Sequence, residues 1–156
     1  MQTEVHVNPW WAALVVWGVV NLVNVLQAAG FLSRIWTGSH AANHVLGYGI
    51  AALAVPAAVA LTAFLRAGAG PRHWLGPAVF LAFVLLMAVV DYAWPIEFRS
   101  PVRPAILVPY LVLFFGAILL MGLPMFHMER GLWLVTAVTA ALLLAAMGAA
   151  MAKGVG

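Results

Sequence analysis

The chain has 156 residues, of which 66% are apolar and 7% are charged, and its formal net charge is +3. Soluble domains carry roughly a quarter charged residues, so this composition excludes a soluble globular protein and indicates a multi-pass membrane protein. The seven basic residues lie at or near predicted helix ends, which suits lipid head groups and excludes a nucleic-acid-binding face. The absence of cysteine excludes disulfides, thiolate catalysis and cysteine-ligated metals.

The hydropathy pattern predicts an all-α integral membrane protein, with five transmembrane helices in a single antiparallel bundle joined by short loops. We expect one domain over residues 1–156, with spans at residues 9–32, 41–65, 74–94, 105–123 and 132–152. An odd number of spans places the two termini on opposite sides of the membrane, here called the N-terminal side and the C-terminal side. Lys and Arg divide three against four between these sides, which predicts an N-terminus outside and a cytoplasmic C-terminus.

The first span carries an amide stripe, Asn21, Asn24 and Gln27, which recurs every three residues on one side of the helix. An unpaired amide in hydrocarbon is costly, so we expect the stripe to face other helices, either as interhelical contacts or as part of a polar ligand pocket. A short loop is predicted over residues 33–38, which would place Arg34 outside the helix.

The second span begins with His40, His44 and Tyr48, which fall four residues apart and therefore share one helix face. Asn43 and Gly47 flank that line. Pro56, near the middle of the membrane, predicts a kink, because proline removes a backbone donor.

Later in the chain, the Asp91–Pro104 segment holds two of the four acidic and two of the seven basic residues, together with three prolines. Proline restrains the backbone, so this segment is not predicted to be helical throughout. Pro124 is expected to end the fourth span, with a loop up to Arg130. An alanine stripe in the fifth span, at residues 137, 141, 145 and 149, predicts close contact within the bundle or with a second copy.

Successive spans cross the membrane in opposite directions, so the position of each polar group along its span determines the side of the membrane on which it lies. Groups on opposite sides are separated by a hydrocarbon core of roughly 30 Å. His6, His73, His127 and Glu129 lie on the N-terminal side, in a spacing that matches no motif. The richer set lies on the C-terminal side. We predict His44 and Asp91 as the residues that would carry proton transfer, and the ligand-binding residues as Asn24, Gln27, His40, Asn43, Tyr48, Glu97, Arg99 and Tyr110.

Two interpretations of this C-terminal-side set remain open: an ion-pair cluster that stabilises the loops, and a polar pocket that opens to the interface. Because Asp91 lies about one turn inside its span, we expect Arg34, Arg99 or Arg103 to contact Asp91 or Glu97. His40 and His44 with Asp91 or Glu97 also form a weak metal-binding pattern, and we assign no metal to it. Bis-histidine haem is disfavoured since both histidines share one helix, and the sequence names no cofactor.

The sequence therefore predicts a small membrane protein that binds a lipophilic or amphipathic small molecule, or that acts as an accessory subunit of a membrane complex. The alternatives are a membrane-embedded enzyme or redox or metal subunit that uses His40, His44 and Asp91, and an oligomeric transporter or channel protomer. Expected partners are membrane lipids, a small lipophilic ligand, and further copies of the chain or a larger membrane complex; nucleic acid is not expected.

Overall fold

A computed structural model describes residues 9–39, 41–99 and 101–155 as an all-α bundle. Its elements are α1 (Trp10–Thr37), α2 (Ala41–Ala52), α3 (Ala54–Arg66), α4 (Pro71–Met87), a π-helical segment (Ala88–Ala93), α5 (Pro104–Met128) and α6 (Arg130–Ala152). Helices α2 and α3 together form the second span, and α4 with the π-helical segment forms the third. Five spans are thus long and apolar enough to cross a membrane, which confirms the predicted architecture.

Helix α1 lies at the centre of the bundle and packs against α2, α3, α5 and α6, while α4 packs against α3 and α5. The core is apolar and includes the fully buried side chains of Val20, Phe64 and Phe83. Large apolar side chains such as Leu85 and Val138 point outward. In a membrane protein such residues meet lipid, so their exposure is expected.

Helices α1 and α6 run parallel and are joined by side-chain hydrogen bonds at a constant offset of 115 residues. These bonds run from Trp17 Nε1 to the Leu132 carbonyl (2.8 Å), from Asn21 Nδ2 to Thr136 Oγ1 (3.1 Å) and from Asn24 Nδ2 to Thr139 Oγ1 (3.1 Å). Polar bonds between helices hold spans together in lipid, where hydrophobic burial provides no attraction. This polar ladder fixes the register of the first and last spans.

The second span is interrupted at Leu53, in line with the kink predicted from Pro56. Pro56 has no N–H to donate to the carbonyl of Ala52, so the regular series of backbone hydrogen bonds of the helix is interrupted there. The chain instead makes a tight turn in which the Leu53 N–H donates to the Ile50 carbonyl at 3.1 Å, and α3 starts at Ala54. The break lies one turn before the proline.

Several predicted helix ends differ from the structure, and three of them have a local physical reason. Helix α1 continues through most of the predicted loop to Thr37, where Gly38 adopts φ +64° and its N–H bonds the Arg34 carbonyl. Helix α5 runs through Pro124 to Met128, because a proline within a membrane helix is tolerated when neighbouring groups satisfy the freed carbonyl. Helix α6 begins at Arg130, capped by the Glu129 side chain, which accepts from the Gly131 N–H.

The alanine stripe of α6 does not pack inside the bundle. Ala141, Ala145 and Ala149 are exposed, whereas Leu143 and Ala146 are buried. The predicted contact within the bundle is therefore wrong for these three residues. Contact with a second copy stays a prediction.

Candidate functional site

The third span changes from α-helical to π-helical winding at Ala88, and this segment carries Asp91 and Tyr92. Its wider turn is closed by the Trp94 N–H, which donates to the Val89 carbonyl at 2.9 Å. Two adjacent side chains of this segment contact different neighbours, Asp91 contacting α5 and Tyr92 contacting α2.

Asp91 accepts hydrogen bonds from two residues that come from different parts of the chain. Arg99 donates through Nη1 to Oδ1 at 3.0 Å and through Nη2 to Oδ2 at 3.4 Å, while the Tyr110 hydroxyl donates to Oδ2 at 3.1 Å. The predicted contact between an arginine and this carboxylate is confirmed. We call Asp91, Arg99 and Tyr110 the Asp91 cluster.

The Asp91 cluster is ordered by packing and remains accessible. The Arg99 guanidinium lies 4.2 Å from the ring centre of Phe98, a fully buried residue, and 5.2 Å from that of Tyr110. The side chains of Arg99 and Asp91 are 40% and 19% exposed. Burial lowers the pKa of the Arg99 guanidinium, but the hydrogen bond and negative charge of Asp91 outweigh it, so the pKa lies above its usual value. Arg99 is therefore a permanent cation at physiological pH.

Arg34 lies close to this cluster without joining it. It occupies the last turn of α1, is 8% exposed, and makes no hydrogen bond or ion pair through its side chain with any described residue. Its guanidinium carbon lies 5.1 Å from the ring centre of Phe31. It is also within electrostatic reach of Arg99, which repels it, and of Asp91 and Tyr110. The Asp91 carboxylate is therefore paired with Arg99 and not with Arg34.

The predicted pair of His44 and Asp91 is not in contact: no hydrogen bond or ion pair joins them in the described structure, because Arg99 and Tyr110 occupy the carboxylate. The His44 ring instead stands edge-on to Tyr92, with ring centres 5.1 Å apart. The Tyr92 hydroxyl donates to the His44 backbone carbonyl at 2.9 Å. The catalytic roles of His44 and Asp91 stay predictions.

Tyr92 was not among the predicted site residues, although it organises this face of α2. Its ring lies 4.8 Å from that of the exposed Tyr48, and its hydroxyl occupies the space where a side chain at Gly47 would be. A glycine on the predicted polar face of the second span was the signal in the sequence, because it permits a bulky neighbour to approach the backbone.

Gln27, the last residue of the amide stripe of α1, differs from Asn21 and Asn24 in burial and hydrogen bonding. Asn21 and Asn24 are buried in the polar ladder, as expected for interhelical contacts. Gln27 is half-buried and makes no hydrogen bond with a described residue. Asn24 therefore lies in the bundle interior, away from the Asp91 cluster, and its role in ligand binding stays a prediction, as does that of Gln27.

Asn43 and Glu97 lie on the C-terminal side in different environments. The Oδ1 atom of Asn43 is enclosed without a hydrogen-bond partner and packs against α1, where a Cβ at Gly30 would lie 2.9 Å from it. Glu97 is exposed and forms no ion pair with a described residue. His40 lies outside the described residues. Among those described, no three His, Asp or Glu side chains come together in a metal-binding arrangement.

A cavity of about 300 Å³ lies at the opposite end of the bundle, on the N-terminal side. Its lining includes Arg72, His73 and His127, and the Arg72 Nε donates to the His73 Nε2 at 3.1 Å. His73 and His127 were predicted to share this side of the membrane, but no motif predicted a common cavity. His6, grouped with them by side, lies outside the described residues.

Neither a protein-family model, nor a curated protein, nor a solved structure matches this chain.

Proposed function

We propose that this protein binds an amphipathic small molecule at the C-terminal side of the membrane. The polar group of the ligand is held by the Asp91 cluster, and its apolar part lies along the lipid-facing surface. The observation that carries the proposal is that the Asp91 carboxylate is fixed by two donors and is still partly exposed. Polar groups held in place at membrane depth and reachable from outside are the usual basis of an intramembrane binding site.

The surroundings of the cluster suit a ligand that is partly apolar. Trp36, Tyr48 and Trp94 are exposed at this end of the bundle. Aromatic side chains of this kind sit at the level of lipid head groups, where an amphipathic molecule also places its polar end. An enclosed cavity is not required for the apolar part, because lipid-exposed helix surface accommodates it.

We further propose that the C-terminal side is cytoplasmic, as the positive-inside rule predicts from Arg34, Arg99, Arg103 and Lys153. A reporter fused to the C-terminus and read by its accessibility in intact cells tests this orientation. A second copy of the chain against the exposed alanine stripe of α6, or docking into a larger complex, stays a prediction.

The other predicted functions have less support from the geometry. An enzyme that uses His44 and Asp91 needs a proton path between them, and the two side chains are not in contact in the described structure. A transporter or channel built from five spans would need several copies of the chain. The amphipathic-ligand proposal requires neither.

The proposal is tested by identifying the molecules that remain bound to the full chain after purification in mild detergent. Mass spectrometry of the extract should find one amphipathic compound bound to the parent protein. Asp91→Asn should retain at least about tenfold less of it, because the carboxylate that orients the Arg99 and Tyr110 side chains is lost. Glu129→Gln is the matched control, since it removes the same charge on the opposite side of the membrane and keeps an oxygen that can accept from the Gly131 N–H. Absence of any bound compound, or equal retention by Asp91→Asn, would contradict the proposal.

A further inference from the structure

Arg34 is a buried cation without a counter-ion among the described side chains. Its Nε is fully enclosed without a partner, while the two terminal nitrogens keep some accessible surface. Burying an unpaired guanidinium is costly, and such groups are found paired with an anion. The negative end of the α1 dipole offers partial compensation at this position, but no carbonyl accepts a hydrogen bond from the Arg34 side chain in the described structure.

The carboxylates nearby do not supply the missing anion. Asp91 is occupied on both oxygens by Arg99 and Tyr110. Glu97 is exposed and forms no ion pair with a described residue. This end of the bundle therefore has three arginines, Arg34, Arg99 and Arg103, against two carboxylates, and the excess positive charge includes its most buried cation.

We infer that Arg34 binds the phosphate group of an anionic phospholipid. This inference rests on the proposed function and specifies its ligand. The depth supports phosphate: Arg34 lies in the last turn of a membrane span, where head-group phosphates lie, and a guanidinium presents a planar set of donors that matches phosphate oxygens. If this side is cytoplasmic, it faces the leaflet surface that carries anionic lipids.

The Asn43 amide supports the same location. Gly30 and Arg34 lie one turn apart on α1, and Asn43 packs against Gly30 with an enclosed, unpartnered Oδ1. The Asn43 amide also has an NH₂ group, which can donate to a phosphate oxygen. Two of the three enclosed polar atoms without a partner in the described structure thus lie at this end of the bundle.

The test uses the full chain, released from nanodiscs that contain equal amounts of phosphatidylglycerol and phosphatidylcholine, and counts retained lipids by native mass spectrometry. We expect the parent protein to retain phosphatidylglycerol at least about tenfold over phosphatidylcholine, and Arg34→Gln to lose this preference. Arg103→Gln is the matched control, because it removes the same charge from an exposed arginine on the same side. Equal retention of both lipids by the parent protein overturns the inference, and so does a preference that survives Arg34→Gln or is lost equally in Arg103→Gln.

Two further measurements are needed. One distinguishes a lipid phosphate from free inorganic phosphate, and the other distinguishes failure of this inference from failure of the proposed function. Stabilisation of the detergent-solubilised parent protein by inorganic phosphate as strong as that by phosphatidylglycerol would overturn the lipid as the ligand. If Arg34→Gln fails to fold, the lipid ratio of the parent protein still decides the inference. Retention of a neutral amphipathic compound that depends on Asp91 but not on Arg34 would overturn this inference and leave the proposed function standing, whereas retention of no compound would end both.

Discussion

The polar ladder between α1 and α6 and the Asp91 cluster are both built from polar side chains in an apolar protein, but they differ in what surrounds them. In the ladder, Asn21 and Asn24 donate to threonines of the facing helix and are buried. In the Asp91 cluster the carboxylate is equally well bonded, yet it and Arg99 are partly exposed, and Arg34 beside them has no partner among the described residues.

This difference distinguishes polar groups that are paired within the protein from polar groups that can still accept a partner. Nearly all polar atoms of the polar ladder are hydrogen-bonded within the protein, and the Asn24 Oδ1 atom is the exception among its described side chains. Such a set stabilises helix packing and can offer little to a ligand. The C-terminal side keeps unused donors and an excess of positive charge close to the head-group layer, which is what a binding site for an anionic amphipathic molecule requires.

The largest expected difference in stability comes from introducing one carboxylate into the polar ladder and, in a second variant, one carboxylate at the C-terminal side. Asn24→Asp puts a carboxylate into the fully buried ladder and should destabilise the fold by about 3 kcal/mol. Asn43→Asp puts it against Gly30, one turn from Arg34 on α1, and should cost about 1 kcal/mol or less if the guanidinium offsets its desolvation. Unfolding of both variants in mixed micelles measures the difference. Equal destabilisation would mean that Arg34 does not act as an unpaired cation.

A second variant tests the contact between α2 and the π-helical segment. A methyl group at Gly47 would overlap the Tyr92 hydroxyl, so Gly47→Ala should destabilise the protein by about 2 kcal/mol. Adding Tyr92→Phe removes the overlapping oxygen and should restore most of the loss. Gly18→Ala is the control, since nothing lies near a Cβ there. Thermal unfolding that ranks Gly47→Ala with Gly18→Ala would show that Tyr92 is not seated against α2.

Some of these features could be predicted from the sequence and others could not. Composition and hydropathy predicted five spans, because length and apolar content are read directly from the chain. The contact between an arginine and Asp91 was also predictable, since a carboxylate inside a span needs a partner. The burial of Arg34 was missed because the helix end was placed too early, although Gly38 is a recognisable helix terminator. The choice of Tyr110 over His44 as partner of Asp91 depends on helix rotation and π-helical winding, which no local pattern specifies.

A smaller effect is expected within the ladder. Asn21→Leu removes the bonds to Thr136 and Thr139 and should change stability by about 0.5–2 kcal/mol, the range for hydrogen bonds between membrane helices. The effect should not depend on salt, because both partners are neutral. Thr62→Val, on an exposed face of α3, is the control and should have less effect. Unfolding measured at low and high salt decides this, and a salt-dependent loss for Asn21→Leu would contradict the assignment.

The smallest expected stability change is that of Asp91→Asn. The ion pair with Arg99 is partly exposed, so its removal should cost about 0.5–1 kcal/mol, and the cost should shrink as ionic strength rises. Its effect on ligand retention should be much larger than its effect on folding. A loss of stability that matches that of Asn24→Asp would indicate that the Asp91 cluster serves the fold, as the ladder does.

Photolabelling of the full chain tests whether a lipid-like ligand binds at the C-terminal side. A phospholipid analogue with a photoreactive group beside its phosphate is incorporated into nanodiscs with the protein, and labelled peptides are mapped with and without excess phosphatidylglycerol. We expect competable labelling in residues 31–48 and 91–110, which carry Arg34, Asn43 and the Asp91 cluster. Labelling spread evenly over the lipid-facing helices, or concentrated around the N-terminal-side cavity at residues 69–73 and 124–128, would contradict the claim.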